Sequence, residues 1–153
     1  MTFYNSFNDN HQKIIDLTKA NSSILAEVSK KNIIDYSFDF LGQNRFPAIA
    51  VNIPEYFPGE SQSTGMLTYE LHYRILIASD LLGPTKSRKQ LMTVAAAVME
   101  MLESVSNTDL DDTCTYSEVV RFNPNVGIGG SEKAMQRVGE IRFMTAHGII
   151  RPI

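Results

Sequence analysis

The sequence predicts an α+β fold, with a mainly antiparallel sheet of about five strands and two amphipathic helices on one face. Two segments repeat apolar residues at three- and four-residue spacing, as amphipathic helices do. Five other segments alternate apolar and polar residues, as half-buried strands do. The strand-like segments follow one another instead of alternating with helices, which favours antiparallel pairing. The predicted order of elements is α-β-β-β-α-β-β.

The first helix is predicted over residues 9–29. Asp9 and Gln12 form a candidate N-terminal capping pair, because an acidic side chain can accept from free backbone N–H groups and the amide can reach back. The predicted buried stripe contains Ile14, Leu17, Ile24, Leu25 and Val28.

Three strands are predicted next, over residues 33–41, 47–53 and 66–78. The third is the longest run of strict alternation in the chain, with inward positions from Leu67 to Ile77. Pro47 suits the first residue of a strand, where a missing N–H costs no ladder hydrogen bond.

The second helix is predicted from residue 84 or 88 to residue 105, with Ser87 and Gln90 as a capping box. Two strands follow it, over residues 114–122 and 135–146. The apolar phase of the last strand shifts between Val138 and Ile141, which makes Gly139 a candidate bulge.

Composition narrows the class of protein. A chain of 153 residues fits one domain, and its net charge of −3 is not the basic footprint of a nucleic-acid-binding protein. One cysteine, Cys114, allows no intrachain disulfide. No segment has the length and apolarity to span a bilayer, and the N-terminal residues lack the pattern of a signal peptide. We therefore expect a cytoplasmic protein without a membrane partner.

The sequence predicts no catalytic, cofactor-binding or metal-binding site. His11, His72 and His147 fall in different elements and show no metal-ligand spacing. Cys114 falls among the inward residues of its strand, which predicts a packed and inert thiol. The acidic segment 109–112 lacks the spacing of a calcium loop, and it predicts a solvated turn.

A glycine run lies in the long connection 123–133. It lacks the strand-to-helix context of a phosphate loop, so a flexible hairpin loop is the better interpretation. A second long connection, 54–65, carries two aromatic residues outside the strand pattern. Long connections in a compact domain are often functional, and apolar residues crowd both ends of the chain, at 1–8 and 147–153, which are candidate contact arms.

Basic residues also open the second helix, where the helix dipole disfavours cations and an acidic partner would compensate them. The residues that we predict to make contacts with other subunits or proteins are Glu55, Tyr56, Phe57, Glu60, Lys86, Arg88, Lys89, Gly127, Gly129 and Gly130.

In the order of its elements, the chain resembles the tail terminator (tail completion) proteins of long-tailed bacteriophages. The likeness runs from the leading helix to the proline-aliphatic strand at 45–51, the long alternating strand at 68–78 and the helix carrying Leu91, Val94, Val98 and Leu102. It ends with a strand pair that contains residues 119–122 and 138–143.

This resemblance implies a ring, expected to be a homohexamer, that caps the tail tube and ends its polymerisation. Its partners would be copies of itself, the tail tube protein and a head-side connector or stopper protein. DNA would pass through the lumen without specific binding. The protein would be found in the host cytoplasm during assembly and then in the neck and tail of the virion.

Two alternatives remain open at this stage. One is another neck or tail protein, such as an adaptor, a stopper or a tube subunit. The other is a small ligand-binding or enzymatic α+β domain, for which Glu70, His72 and Arg74 are the best candidate residues.

Overall fold

The computed structural model describes residues 2–35, 46–59 and 65–151. Its helices are α1 (Phe3–Ala20), α2 (Ser22–Leu25) and α3 (Pro84–Leu102). Its strands are β1 (Ile33–Ile34), β2 (Ala48–Val51), β3 (Glu55–Pro58), β4 (Met66–Ala78), β5 (Tyr116–Gly130) and β6 (Met135–Ile150). The predicted α+β class is confirmed.

Strand β4 is the centre of the sheet. The strands follow the order β1-β2-β4-β6-β5, with β3 also paired to β4. On one side, β4 pairs with β6 without interruption, from Met66 opposite Ile150 to Ala78 opposite Val138. On its other side, β2 and β3 share its length. All of these pairs are antiparallel, whereas β1 and β2 are parallel.

The sheet has six strands instead of the predicted five. The additional strand is Glu55–Pro58, which lies in the segment predicted to be a long connection. Strand β2 is too short to cover β4 and pairs only with residues 75–78. The backbone groups of β4 at residues 69–72 would otherwise lack partners, and β3 satisfies them. Residue Glu60 lies outside the described residues.

The first helix begins earlier and ends earlier than predicted. The side chain of Thr2 caps it by accepting from the N–H of Asn5 at 3.2 Å, so Asp9 and Gln12 lie inside the helix. Asn21 ends α1 by adopting an extended backbone, and its side chain caps α2. The predicted continuous helix over 9–29 is therefore wrong.

The start of α3 also differs in detail. Gly83 is its N-cap residue and Pro84 occupies the first turn. The Ser87 hydroxyl donates to the Pro84 carbonyl at 3.1 Å, and the Gln90 side chain accepts from the N–H of Asp80 at 2.7 Å. Because both side chains are engaged elsewhere, they do not form the predicted capping box.

Strands β5 and β6 are longer than predicted. Gly127, Gly129 and Gly130 belong to β5, so the expected flexible loop shrinks to residues 131–134. Gly139 is not a bulge, since it pairs directly with Ile77 in unbroken register. The irregularities lie in β5 instead, between Val119 and Arg121 and between Asn123 and Gly127. The predicted strand over 33–41 is described only at β1.

The main core lies between the helices and one face of the sheet. Side chains that alternate along β4 point into it and are fully buried, as are the apolar residues of α1 and α3 that meet them. These residues are Ile14, Tyr69, Leu71, Tyr73, Ile75, Ile77, Leu91, Val94 and Val98. No described helix covers the opposite face of the sheet, which is called the open face below. At its β2 end, however, this face is buried in a small apolar cluster of Ala48, Ala50, Ala78 and Val138.

Helix α3 approaches the sheet closely at Gly139. A Cβ atom added to this residue would lie 3.1 Å from the Phe122 ring and 3.2 Å from a Leu91 methyl. Leu91 is fully buried, so it has little room to move away.

We expect Gly139→Ala to lower the free energy of unfolding by about 1–3 kcal/mol through overpacking. Gly127→Ala is a matched control on the neighbouring strand, because its new Cβ would meet only the Val138 Cβ, at 3.8 Å. Urea denaturation should show a lower midpoint for the first variant and a change within about 0.5 kcal/mol for the second. Equal midpoints would contradict the proposed close approach.

Candidate interaction surfaces

An aromatic cluster covers the start of α1. Phe3 and Phe7 of the helix meet Tyr56 of β3 and Tyr69 of β4, with ring centroids 5.1–6.5 Å apart. Tyr69 is buried, whereas Tyr56 is 46% and Phe7 38% exposed. The cluster therefore joins the core to an apolar surface that water still reaches.

Strand β3 divides its side chains between the two faces of the sheet. Tyr56 is opposite Leu71 and joins the aromatic cluster, while Phe57 is opposite Glu70 on the open face. The Phe57 ring lies 4.5 Å from the ring of His72, whose Nε2 is 2.9 Å from a Glu70 oxygen. One short strand thus places a half-exposed aromatic side chain on each face.

Buried hydrogen bonds dock α1 onto the sheet beneath the aromatic cluster. The Asn10 carbonyl oxygen accepts from the hydroxyls of Tyr73, at 2.7 Å, and Thr145, at 3.0 Å. The Asn10 amide donates to the Thr113 hydroxyl at 3.0 Å. Because Asn10, Tyr73 and Thr145 are fully buried, loss of any partner would leave a desolvated polar group.

His147 extends this network as a neutral side chain. It stacks on Tyr69 with ring centroids 5.1 Å apart, and its Nε2 lies 2.7 Å from the Thr145 hydroxyl oxygen. Since that hydroxyl donates its proton to Asn10, the histidine is the donor through Nε2–H. Burial lowers the pKa of His147 to about 4. Its Nδ1 has no hydrogen-bond partner among the described residues.

Three arginines form a row across adjacent strands on the open face. Arg142 of β6 is directly opposite Arg74 of β4 on one side and Arg121 of β5 on the other. Glu140 is the carboxylate between them: it accepts from Arg74 Nε at 2.7 Å and from Arg142 Nε at 2.5 Å. Arg121 lies 4.0 Å from it. We refer to Arg74, Arg142 and Arg121 as the arginine row.

Glu140 is charged at neutral pH although it is buried. Burial raises the pKa of this carboxyl, but hydrogen bonds from Arg142 and Arg74 outweigh that effect and hold the pKa below its ordinary value. Only 4% of its side chain is exposed. Among the described residues, one carboxylate thus faces three guanidinium groups, which leaves a local excess of positive charge.

Strand β5 forms an edge that no other described strand pairs on its outer side. It carries exposed apolar side chains at Tyr116, Val120, Val126 and Ile128, the last of which is 63% exposed. Pro124 lies near its middle and lacks the N–H that a strand edge needs. The side chains of this edge are apolar, but its row of backbone donors is interrupted, which makes it a poor template for pairing with another strand.

The residues predicted to make contacts fall into two groups. Glu55, Tyr56 and Phe57 lie on β3, beside the first half of β4. Gly127, Gly129 and Gly130 lie at the other end of the sheet, where Met135 bonds to Leu82, just before α3. The exposed side chains of Lys86, Arg88 and Lys89 are near that second end, in the first turns of α3.

The predicted contact arms belong to regular elements where they are described. Residues 3–8 are the first turns of α1, and residues 147–150 are the last residues of β6. Ile149 is buried, whereas Ile150 is 78% exposed. Their role in contacts stays a prediction.

A cavity of about 380 Å³ opens beside the aromatic cluster. It is lined mainly by Phe7, His11, Ile53, Tyr56 and Leu71. His11 is held at its wall by a 2.9 Å contact between Nε2 and the Val51 carbonyl oxygen. With its mostly apolar lining, the cavity suits an apolar side chain better than a polar substrate.

The described part of the chain contains no group of His, Cys, Asp or Glu side chains that could hold a metal ion. Burial raises the pKa of the Cys114 thiol to about 12, and this thiol is therefore not a thiolate at neutral pH. None of the helices within the described ranges is long and apolar enough to cross a membrane.

Sequence reasoning missed the arginine row. The alternation of β4 predicts that Arg74 faces away from the core. The positions of Arg121 and Arg142 in the sequence do not predict that these residues lie opposite each other in the sheet. Their alignment depends on the irregularity in β5 between Val119 and Arg121. No pattern in the sequence marked that position.

The fold of this chain has relatives among solved structures. No protein-family model and no curated protein matches the sequence. Among solved structures, the chain is similar to one described as "Virion of native gene transfer agent (GTA) particle", at 12% sequence identity and a TM-score of 0.55. The likeness covers 89% of this chain and 92% of that chain. At this identity it shows a shared fold.

The buried neutral His147 predicts an acid-sensitive structure. Unfolding restores the ordinary pKa of 6.5 from about 4, so the unfolded chain binds the proton first and stability falls as pH drops from about 6.5 to 4. The expected loss in the free energy of unfolding is roughly 2–3 kcal/mol. Glu140 adds to the loss at lower pH, because its pKa is held below 4.5.

Urea denaturation at a series of pH values measures this loss. His147→Phe keeps an aromatic ring against Tyr69 but cannot be protonated, so the pH dependence between 6.5 and 4 should flatten. His72→Gln, which removes a histidine from the open face, should keep the slope of the unmodified protein. A slope unchanged by His147→Phe would show that another group carries it.

Proposed function

We propose that this chain is a structural protein of a phage-like virion that forms a ring on the end of the tail tube. The ring would end tube polymerisation and join the tail to the head-side connector or stopper protein. The observation that carries the proposal is the shared fold with a chain from the gene transfer agent virion, over most of both chains. The resemblance in element order to tail terminator proteins supports the finer role.

The distribution of exposed apolar side chains supports an assembling role. They lie at two separate edges of the sheet: Tyr56 and Phe57 on β3, and Val120, Val126 and Ile128 on β5. Exposed apolar surface of this kind commonly marks contacts between proteins. Two different edges suit a head-to-tail contact, and such contacts generate rings when the rotation closes.

The chemistry of the surfaces does not favour an enzyme. Glu70 bonds to His72, and Arg74 bonds to Glu140, on an open sheet face instead of converging in a pocket. The buried side chain of Asn10 is likewise satisfied, by hydrogen bonds to the hydroxyls of Tyr73, Thr145 and Thr113. We therefore favour a mechanical role, in which DNA passes through the ring without specific binding.

The mass of the purified chain, measured by native mass spectrometry with and without isolated tail tubes, tests the proposal. We expect a closed ring, with six subunits as the expected number. Negative-stain images separate a ring from the alternative of a tube subunit, which would polymerise by itself. A strictly monomeric or dimeric chain at high concentration, even with tubes present, would contradict the ring.

The exposed aromatic residues of β3 should contribute to assembly. Tyr56→Ser and Phe57→Ser should each reduce the fraction of chains in rings, because each removes half-exposed apolar surface. Met92→Ser is a matched control, since Met92 is 46% exposed like Tyr56 but lies on α3. Circular dichroism should show folded variants, and native mass spectrometry should show fewer rings only for the β3 variants. Normal rings from both would exclude this strand from the contact.

A further inference from the structure

The arginine row has an electrostatic cost that the described part of the chain only partly offsets. Like charges directly opposite on neighbouring strands are destabilising, and here Arg142 has an arginine opposite it on each side. Glu140 supplies one negative charge to three positive ones. A surface that keeps such an arrangement is suited to receive acidic groups from outside.

Arg121 is the member of the row that remains available. Its side chain is 61% exposed, and the 4.0 Å distance to Glu140 is beyond a hydrogen bond. The planar guanidinium has five N–H donors and matches a carboxylate in a two-bond geometry. A further carboxylate could therefore bind to Arg121 without displacing Glu140.

The neighbouring rows favour a protein carboxylate over a nucleic-acid backbone. Glu118 lies one row from the arginines, opposite Met144, and Glu70 lies two rows away, opposite Ala146. A chain of phosphates would meet these acids as well, and nucleic-acid binding needs an extended positive surface. A short acidic element from a protein can contact the arginines alone.

This chain contains such an element between α3 and β5. Leu110, Asp111 and Asp112 all have positive φ, at 47°, 57° and 64°, which is uncommon for residues other than glycine. The fully buried Leu110 anchors the turn, and the N–H groups of Thr113 and Cys114 bond to the Asp109 carbonyl at 3.1 Å. Asp111 and Asp112 are exposed at the surface, directly after this anchor. We name residues 109–112 the acidic turn.

The acidic turn has more charge than its surroundings neutralise. Lys13 lies 3.2 Å from Asp111, in an exposed ion pair, and Asp112 has no ion-pair partner among the described residues. The turn contacts α1 through Lys13 and through Asn10, which bonds to Thr113. It therefore lies on the helix side of the sheet, whereas the arginine row lies on the open face.

We propose that the arginine row of one subunit binds the acidic turn of the next copy in the ring. This inference rests on the ring of the proposed function and names one of its contacts. Because the two surfaces differ and lie on opposite sides of the sheet, the contact is head-to-tail and can repeat around a closed ring. It joins Arg121 to Asp112 and places Asp111 near the rest of the row.

A charge exchange tests the contact. Arg121→Glu and Asp112→Arg should each raise the protein concentration needed for half of the chains to form rings, by at least about ten-fold. The double variant restores an opposite-charge pair across the contact, and rings should return to near the concentration of the unmodified protein. Native mass spectrometry measures the ring fraction, in the presence of tail tubes if the unmodified protein needs them.

Matched reversals of exposed charges elsewhere are the controls. Glu27 lies in the turn after α2, and Lys30 begins the short 3-10 helix that follows. Glu27→Arg and Lys30→Glu should leave the ring fraction unchanged. If the unmodified chain never forms rings, the proposed function and this inference both fail. If it forms rings and the single reversals assemble normally, or the double variant fails to recover, only the contact is overturned.

A second measurement distinguishes binding of nucleic acid by the arginine row from the proposed contact between subunits. Fluorescence anisotropy with a short duplex DNA at low salt should show no binding that depends on Arg121. A loss of DNA binding in Arg121→Glu, with rings unaffected, would overturn the contact and assign the row to phosphate groups.

Discussion

The uninterrupted pairing of β4 with β6 is the constraint on which the other features of this fold depend. Each residue of β4 has a partner on β6, so neither strand can slip by one residue without moving its buried side chains to the open face. The same register holds Tyr73 and Thr145 where α1 can dock through Asn10. It also sets Arg74 opposite Arg142, and the surface chemistry of the open face follows from that alignment.

The two faces of the sheet have different chemical environments. One face is covered by α1 and α3 and provides the core, with a buried polar network that orients the first helix. The open face carries ion pairs and half-exposed aromatic groups, which a partner can cover without disturbing the core. The two faces therefore differ in chemistry: one is apolar and packed, and the other is charged and partly exposed.

Much of this architecture was accessible from the sequence, since β4 and α3 have strong periodicity set by burial on one side. Strand β3 was not, because four residues ending in proline acquire strand structure only from the unpaired side of β4. The glycines of β5 predicted a loop, yet pairing with β6 holds them extended. The arginine row forms only when three strands are in register. The sequence also offers two possible N-terminal caps for the first helix, at Thr2 and at Asp9, and the structure uses Thr2. Such choices depend on contacts between distant residues.

The irregularities of β5 have a consequence for the chain before it meets any partner. They divide the regular pairing of this edge strand into stretches of four, three and four residues: 116–119, 121–123 and 127–130. Edge-to-edge pairing uses a regular row of backbone N–H and C=O groups, and no regular stretch of β5 is longer than four residues. The exposed edge of β5 is therefore a poor template for edge-to-edge growth. The irregular pairing of β5 thus protects its exposed apolar edge against aggregation.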